Sequence, residues 1–142
     1  MNNAMNQKYK HITLNPPLIE MFTELIEKDE TTRSIFIYIG KKMAGISADP
    51  NSKSKVGATI NSISNDLIVK RRVRKKVRTN ITFELVETNL ERKHVERVVN
   101  SLLLTGLCYF EEIGKTKVIY PTERGLEVLK ALRNKEKQLE NY

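Results

Sequence analysis

The sequence contains a single cysteine, Cys108, and no long hydrophobic run. One cysteine cannot form a disulfide within the chain, which favours an intracellular compartment. No segment approaches the roughly 20 apolar residues that a membrane-spanning helix needs, and the start of the chain has no apolar stretch of the kind found in signal peptides. We therefore expect a protein of the cytoplasm that is neither secreted nor bound to a membrane.

Motifs of catalysis and of metal binding are also missing. The chain has no glycine-rich phosphate loop and no nucleophile elbow. Its two histidines, His11 and His94, lie far apart, and with one cysteine they give no metal-ligand spacing. We expect neither an enzyme nor a bound metal or cofactor.

Positive charge is what the sequence has in excess, with a net charge of +8. Residues 46–80 hold nine Lys/Arg and two acidic residues, so this quarter of the chain carries +7 of the total. The densest run consists of Lys70, Arg71, Arg72, Arg74, Lys75, Lys76 and Arg78. A solvated basic face or a disordered loop would explain such a run, but mutual repulsion favours an anionic partner, and we expect these residues to bind phosphates.

The N-terminal half is predicted to be helical within one domain that covers 15–142. Residues 1–14 are polar and predict a flexible arm. Apolar spacing predicts a helix over about 17–28 and a second helix from Thr31 or Thr32 to near Gly45. The polar stretch 47–55 predicts a loop, after which Val56, Ile60, Ile63 and Leu67 recur at helical spacing. We interpret 46–80 as a basic insertion. Residues 67–78 fit either a helix face or a basic strand.

Residues 79–132 predict the order helix, turn, helix, β-hairpin, helix. Ile81, Leu85, Val86 and Leu90 are typical of a short first helix. A second helix is expected from Arg92 to Leu104, closed by Gly106. Strands at 107–112 and 116–120 flank a turn that contains Gly114, and the last helix starts at Thr122. Cys108 is expected to be a small apolar filler on the first of these strands.

This pattern resembles the winged helix-turn-helix family of DNA-binding proteins. The resemblance implies a mainly α (α+β) fold whose second helix lies in the major groove of DNA. The residues that it assigns to base reading are Lys93, Arg97, Asn100, His94 and Glu96, whose side chains can pair with base edges. The residues that it assigns to phosphates are Arg92, Lys115 and Lys117.

A narrower similarity points to the TubR family of plasmid and phage partition adaptors. It rests on Val99-Asn100-Ser101, Gly106, the segment Gly114–Lys117, Ile119-Tyr120 and Gly125-Leu126-Glu127. Proteins of that family bind centromere repeats as dimers and recruit a tubulin-like GTPase for DNA segregation. The resemblance therefore implies a tubulin-like GTPase as a partner.

The expected function is sequence-specific binding of double-stranded DNA by a homodimeric transcriptional regulator. Three alternatives stay open at this point. These alternatives are a TubR-like partition adaptor, an RNA-binding protein that acts through the basic run, and a module that binds only other proteins.

Overall fold

A computed structural model describes residues 3–48 and 57–140 as an α+β fold of six helices and four strands. The helices are α1 (Asn3–Lys8), α2 (Pro16–Glu27), α3 (Glu30–Ala48), α4 (Ile60–Asp66), α5 (Arg92–Leu104) and α6 (Glu123–Glu140). The antiparallel strands β1 (Ile68–Val77) and β2 (Asn80–Asn89) form what we call the basic hairpin, and β3 (Cys108–Ile113) and β4 (Thr116–Pro121) form the short hairpin. This confirms the expected α+β class.

The hydrophobic core lies among α3, α5, α6 and the short hairpin. Helices α3, α5 and α6 each turn one apolar face inward, as their periodicity predicts, whereas each strand of the short hairpin buries two consecutive residues and so has both faces covered there. In these elements the core residues with 2% exposure or less are Ile35, Phe36 and Ile39 of α3, Val95, Val99 and Leu102 of α5, Cys108, Val118 and Ile119 of the short hairpin, and Val128 and Leu132 of α6; Ala58, Ile63, Leu90 and Leu107 join them from neighbouring segments. The core therefore fixes α5 against the short hairpin.

The segment predicted as a flexible arm contains α1, which is hydrogen-bonded to the core. The buried Asn6 side chain donates to the carbonyls of Leu103 (2.6 Å) and Cys108 (2.9 Å). Asn3 donates to the Phe110 carbonyl (3.2 Å) and accepts from the Phe110 amide (2.8 Å). These bonds hold α1 along the edge of β3, so residues 3–8 are part of the folded unit.

Helices α2 and α3 begin close to where the sequence predicts. The Asn15 side chain accepts from the Leu18 amide at 3.1 Å and caps α2. Helix α3 continues to Ala48, so its predicted end near Gly45 is wrong. An interior glycine costs a helix only about 1 kcal/mol, which the buried face of α3 offsets. The loop predicted at 47–55 lies mostly outside the described residues.

The first helix predicted for the C-terminal half is wrong, because residues 80–89 form strand β2. β2 pairs along its whole length with β1, from Ile68 opposite Asn89 to Val77 opposite Asn80. That pairing also settles the class of residues 67–78, which the sequence left open. The helix that packs on α5 is α4, whose Thr59 and Ser62 form a capping box.

The basic hairpin connects α4 to α5, so the range 46–80 that was predicted as a basic insertion contains helix α4 as well as the first strand of this hairpin. Ile68 and Asn89 face each other at its base, so the chain leaves and returns at one point. The Asn89 side chain donates to the carbonyls of Asn65 (2.9 Å) and Leu67 (3.2 Å), and Ser64 Oγ donates to the Leu90 carbonyl at 2.7 Å. The end of α4 and the start of α5 are thereby held together across 22 residues of hairpin.

The elements after α5 agree with the sequence prediction. Gly106 has φ +79° and closes α5, with the Leu107 amide bonded to the Leu102 carbonyl at 3.1 Å. This is the Schellman arrangement, in which glycine tolerates the left-handed backbone. Gly114, at φ +65°, forms the turn of the short hairpin. Thr122 Oγ1 caps α6 by accepting from the Gly125 amide at 3.1 Å.

Candidate nucleic-acid interface

Helix α5 presents a polar stripe opposite its buried face. Val95, Val98, Val99 and Leu102 face the core. Lys93, Arg97 and Asn100 are spaced four and three residues apart, which places them on one stripe of an α-helix. All three are exposed. The three residues predicted to read bases most directly are thus together and accessible.

The two other residues predicted to read bases occupy the flanks of α5. His94 and Glu96 are both half-buried. Arg92 Nε lies 3.6 Å from Glu96 Oε1, and this ion pair partly neutralises the Glu96 carboxylate. Glu96 is therefore placed beside Arg92, one of the predicted phosphate ligands.

A groove of about 500 Å³ runs between α5 and the short hairpin. It has polar and cationic groups on both sides and an apolar floor. Its lining residues are Thr59, Ile60 and Asn61 at the start of α4, Arg92, Glu96, Val99, Asn100 and Leu103 of α5, and Phe110, Lys115, Thr116, Lys117 and Ile119 of the short hairpin. The structure thus brings Arg92, Lys115 and Lys117 to the same groove as Asn100.

Two cations project from the short hairpin. Lys115 lies in the turn beside Gly114, and Lys117 follows on β4. The Lys117 ammonium lies 4.8 Å from the centre of the Phe110 ring, a distance at which the ring attracts a cation. This contact holds Lys117 along the groove wall. Lys115 and Lys117 are both exposed, so each remains free to meet an anion.

The remaining predicted phosphate ligands lie on the basic hairpin, apart from this groove. Lys70, Arg72, Arg74, Lys75 and Lys76 belong to β1 and are exposed. Arg78 is exposed in the turn, where its φ is +57°. Arg71 pairs with Val86 in the ladder, but its side chain lies outside the described part of the structure. The predicted site therefore consists of two cationic surfaces.

The sequence prediction missed the polar and apolar residues that complete these surfaces. Asn61 lines the groove from α4 and was not singled out, because the helix partner of α5 was misplaced. Ile81, Phe83 and Leu85 were expected to be buried or were overlooked, yet they are 49%, 69% and 63% exposed on β2. The alternation Ile81-Thr82-Phe83-Glu84-Leu85 is the signal that indicates a strand.

Chemistry other than binding has few candidate groups in the described residues. Cys108 is fully buried, and burial raises the pKa of its thiol far above the usual range, so the thiol is a poor nucleophile. Among residues 3–48 and 57–140, no cluster of three or more His, Cys, Asp or Glu is placed to hold a metal ion. No helix in the same ranges is long and apolar enough to cross a membrane.

Comparisons of the chain with protein-family models, with curated proteins and with solved structures found no match. Three features of the molecule bear on its function: the exposed stripe of α5, the groove beside it and the basic hairpin.

Proposed function

We propose that this protein binds double-stranded DNA sequence-specifically, with α5 as the helix that enters the major groove. The observation that carries the proposal is the shared groove: Asn100 of α5 lies along the same cleft as Arg92, Lys115 and Lys117. A donor and acceptor that can read a base edge is thereby flanked by cations that can hold phosphates. That combination is how protein–DNA interfaces separate specificity from positioning.

A winged helix-turn-helix accounts for the order and packing of the elements. In this proposal α4 and α5 are the helix pair, with the basic hairpin inserted between them, and the short hairpin is the wing. Ala58 supports it, because its carbonyl accepts from the Ile119 amide at 2.8 Å and adds an extended segment beside the wing. The wing cations Lys115 and Lys117 then lie where a phosphate or the minor groove would be met.

The side chains on the α5 stripe have the chemistry for base reading. Arg97 and Lys93 can donate to O6 and N7 of guanine, and Asn100 can pair with N6 and N7 of adenine. Each good pair discriminates against a wrong base by about 1–3 kcal/mol. The stripe can therefore supply specificity, and the cations of both hairpins supply affinity.

A homodimeric transcriptional regulator is the biological role that we propose. Leu18, Met21 and Leu25 form an exposed apolar stripe on α2, with exposures of 38%, 44% and 57%. Pairing of two copies through this stripe would bury it and present two α5 helices to paired half-sites. A TubR-like partition adaptor is the alternative role, since it would use the same DNA surface and would also bind a tubulin-like GTPase.

The test is selection from a pool of random duplex DNA at about 150 mM salt, a condition that suppresses purely electrostatic binding. We expect enrichment of a short motif that is repeated or palindromic, as a dimer requires. Binding without enrichment, which vanishes as salt is raised, would reject base reading by α5.

A parallel selection with random RNA distinguishes DNA binding from the alternative of RNA binding. If the protein acted on RNA through its basic hairpin, RNA would compete with the selected duplex, and Asn100→Ala would leave affinity unchanged. We expect the selected duplex to outcompete RNA of the same length. Indifference to both nucleic acids at low salt would indicate a module that binds only proteins.

A further inference from the structure

The basic hairpin has one face that combines cations with exposed apolar side chains. Residues directly opposite each other in an antiparallel ladder project from the same face. The register places Arg72 opposite Leu85, Arg74 opposite Phe83 and Lys76 opposite Ile81. We call these six residues the mixed face: three cations on β1 beside three apolar side chains on β2.

The mixed face turns away from the core. On the opposite face, Val69 is 6% exposed and its cross-strand partner Thr88 is half-buried, so that face packs on the body at the base of the hairpin. Phe83 on the mixed face is 69% exposed. Within the described residues, no other strand pairs with β1 or β2. Three exposed apolar side chains in one row, bordered by charged residues, are typical of a binding surface.

From this face we infer that the basic hairpin is a DNA-deforming arm: its cations hold the phosphates that flank a groove, and Phe83 enters a base step and kinks the duplex. This inference rests on the proposed function, because it assigns the same ligand. Apolar wedges such as Phe, Leu and Ile are the side chains that unstack a step from the minor groove. A strand ladder ten residues long, about 33 Å, gives the arm the reach to follow the duplex beyond the α5 site.

Charge complementarity selects DNA over a second copy of the chain. Two mixed faces in contact would place six cations in one interface. The acids of the hairpin are Glu84 and Glu87. Glu84 lies on the opposite face beside Lys75, at 3.8 Å, whereas Glu87 lies on the same face as the three cations, nearer the base and opposite Lys70. With Lys70 included, that face carries four cations and one acid and so keeps a net positive charge, which the phosphates of a duplex can neutralise along its whole length.

The experiment measures bending by energy transfer between dyes at the two ends of a duplex of about 30 base pairs. A duplex of unselected sequence is used at low salt, so that the result does not depend on base reading. We expect the wild type to bend the duplex by about 20–90°. Phe83→Ala should bind with affinity lowered by no more than about tenfold and lose most of the bend, and Phe83→Leu should keep it, because leucine is also a wedge.

Val77→Ala is the matched control, since Val77 lies on the opposite face of the same hairpin and is 52% exposed. It should bind and bend as the wild type does. A bend that persists in Phe83→Ala overturns the wedge while leaving sequence-specific binding by α5 intact. Sedimentation without DNA gives a further check: if Phe83→Ala turned a dimer into a monomer, the mixed face would be a contact between copies, and the inference would be wrong. Absence of duplex binding by the wild type would overturn the proposed function and the arm together.

Discussion

Gly125 lies in the first turn of α6, where the helix passes close to the backbone of Leu107, the residue that precedes β3. A Cβ built on this residue would overlap the Leu107 carbonyl oxygen and lie 3.1 Å from its carbon. Backbone atoms cannot move aside as a flexible side chain can. The position therefore admits only glycine, and the close approach fixes α6 against the chain that leaves α5.

Gly125→Ala tests this close approach. We expect the free energy of unfolding to fall by about 3 kcal/mol, the scale of an overpacked core, as measured by chemical denaturation. Gly45→Ala is the control, because a Cβ there meets no atom within 4 Å. That helical glycine should give a gain of about 0.5–1 kcal/mol. A Gly125→Ala protein as stable as the wild type would contradict the close contact between α6 and the Leu107 carbonyl group.

At the scale of elements, helices and strands could be predicted from the sequence where the apolar spacing fitted only one kind of element. The apolar spacing of α5 and the glycines at 106 and 114 leave one interpretation, because each glycine occupies a backbone that other residues avoid. Much of the candidate site follows from this, since Lys93, Arg97, Asn100, Lys115 and Lys117 lie on these elements.

Residues 81–90 show why the rest was not predictable in the same way. Ile81, Leu85 and Val86 fit a helix face, but Phe83 does not, and with it the segment alternates as a strand does. The partner strand decides between helix and strand here. Pairing of Ile81 with Lys76 and of Phe83 with Arg74 belongs to the tertiary structure and cannot be read from this segment alone. Strand preference depends on such neighbours more than helix preference does. The position of α4 beside α5 was missed for the same reason.

The basic hairpin should be removable without unfolding the protein. Replacing residues 72–85 with Asn-Gly, a preferred two-residue turn, retains the four pairs from Ile68–Asn89 to Arg71–Val86. The residues removed are exposed, apart from Val73, whose side chain lies outside the described part. We expect a melting temperature within a few degrees of the wild type.

The same shortened protein should bind DNA with a weaker dependence on salt. The replacement removes five cations, so the slope of log affinity against log salt should fall in magnitude by about 4. A full-length Arg72→Gln/Arg74→Gln/Lys76→Gln protein separates charge from length and should lose about 3 units of slope. An unchanged slope in both proteins would show that the basic hairpin does not hold phosphates.

At the scale of the whole molecule, the two cationic surfaces, the groove beside α5 and the basic hairpin, differ in composition. The groove beside α5 contains hydrogen-bonding groups together with cations, which suits recognition of a sequence. The basic hairpin carries seven Lys/Arg against two acids, and such a surface attracts any duplex. Under the proposed function, the basic hairpin would add general affinity for DNA to a groove that reads bases.

The most direct test of this division compares the affinity of variants for the selected duplex with that for a scrambled duplex. Arg97→Ala and Asn100→Ala should each reduce the preference for the selected duplex by about 1–3 kcal/mol. Asn100→Ala should leave binding to the scrambled duplex unchanged, and Arg97→Ala should weaken it only by the loss of one charge. Lys115→Ala and Lys117→Ala are the matched controls and should weaken both duplexes equally, with the salt slope smaller by about 1 for each. If Arg97→Ala and Asn100→Ala weakened both duplexes equally, or neither, α5 would not be the helix that reads the sequence.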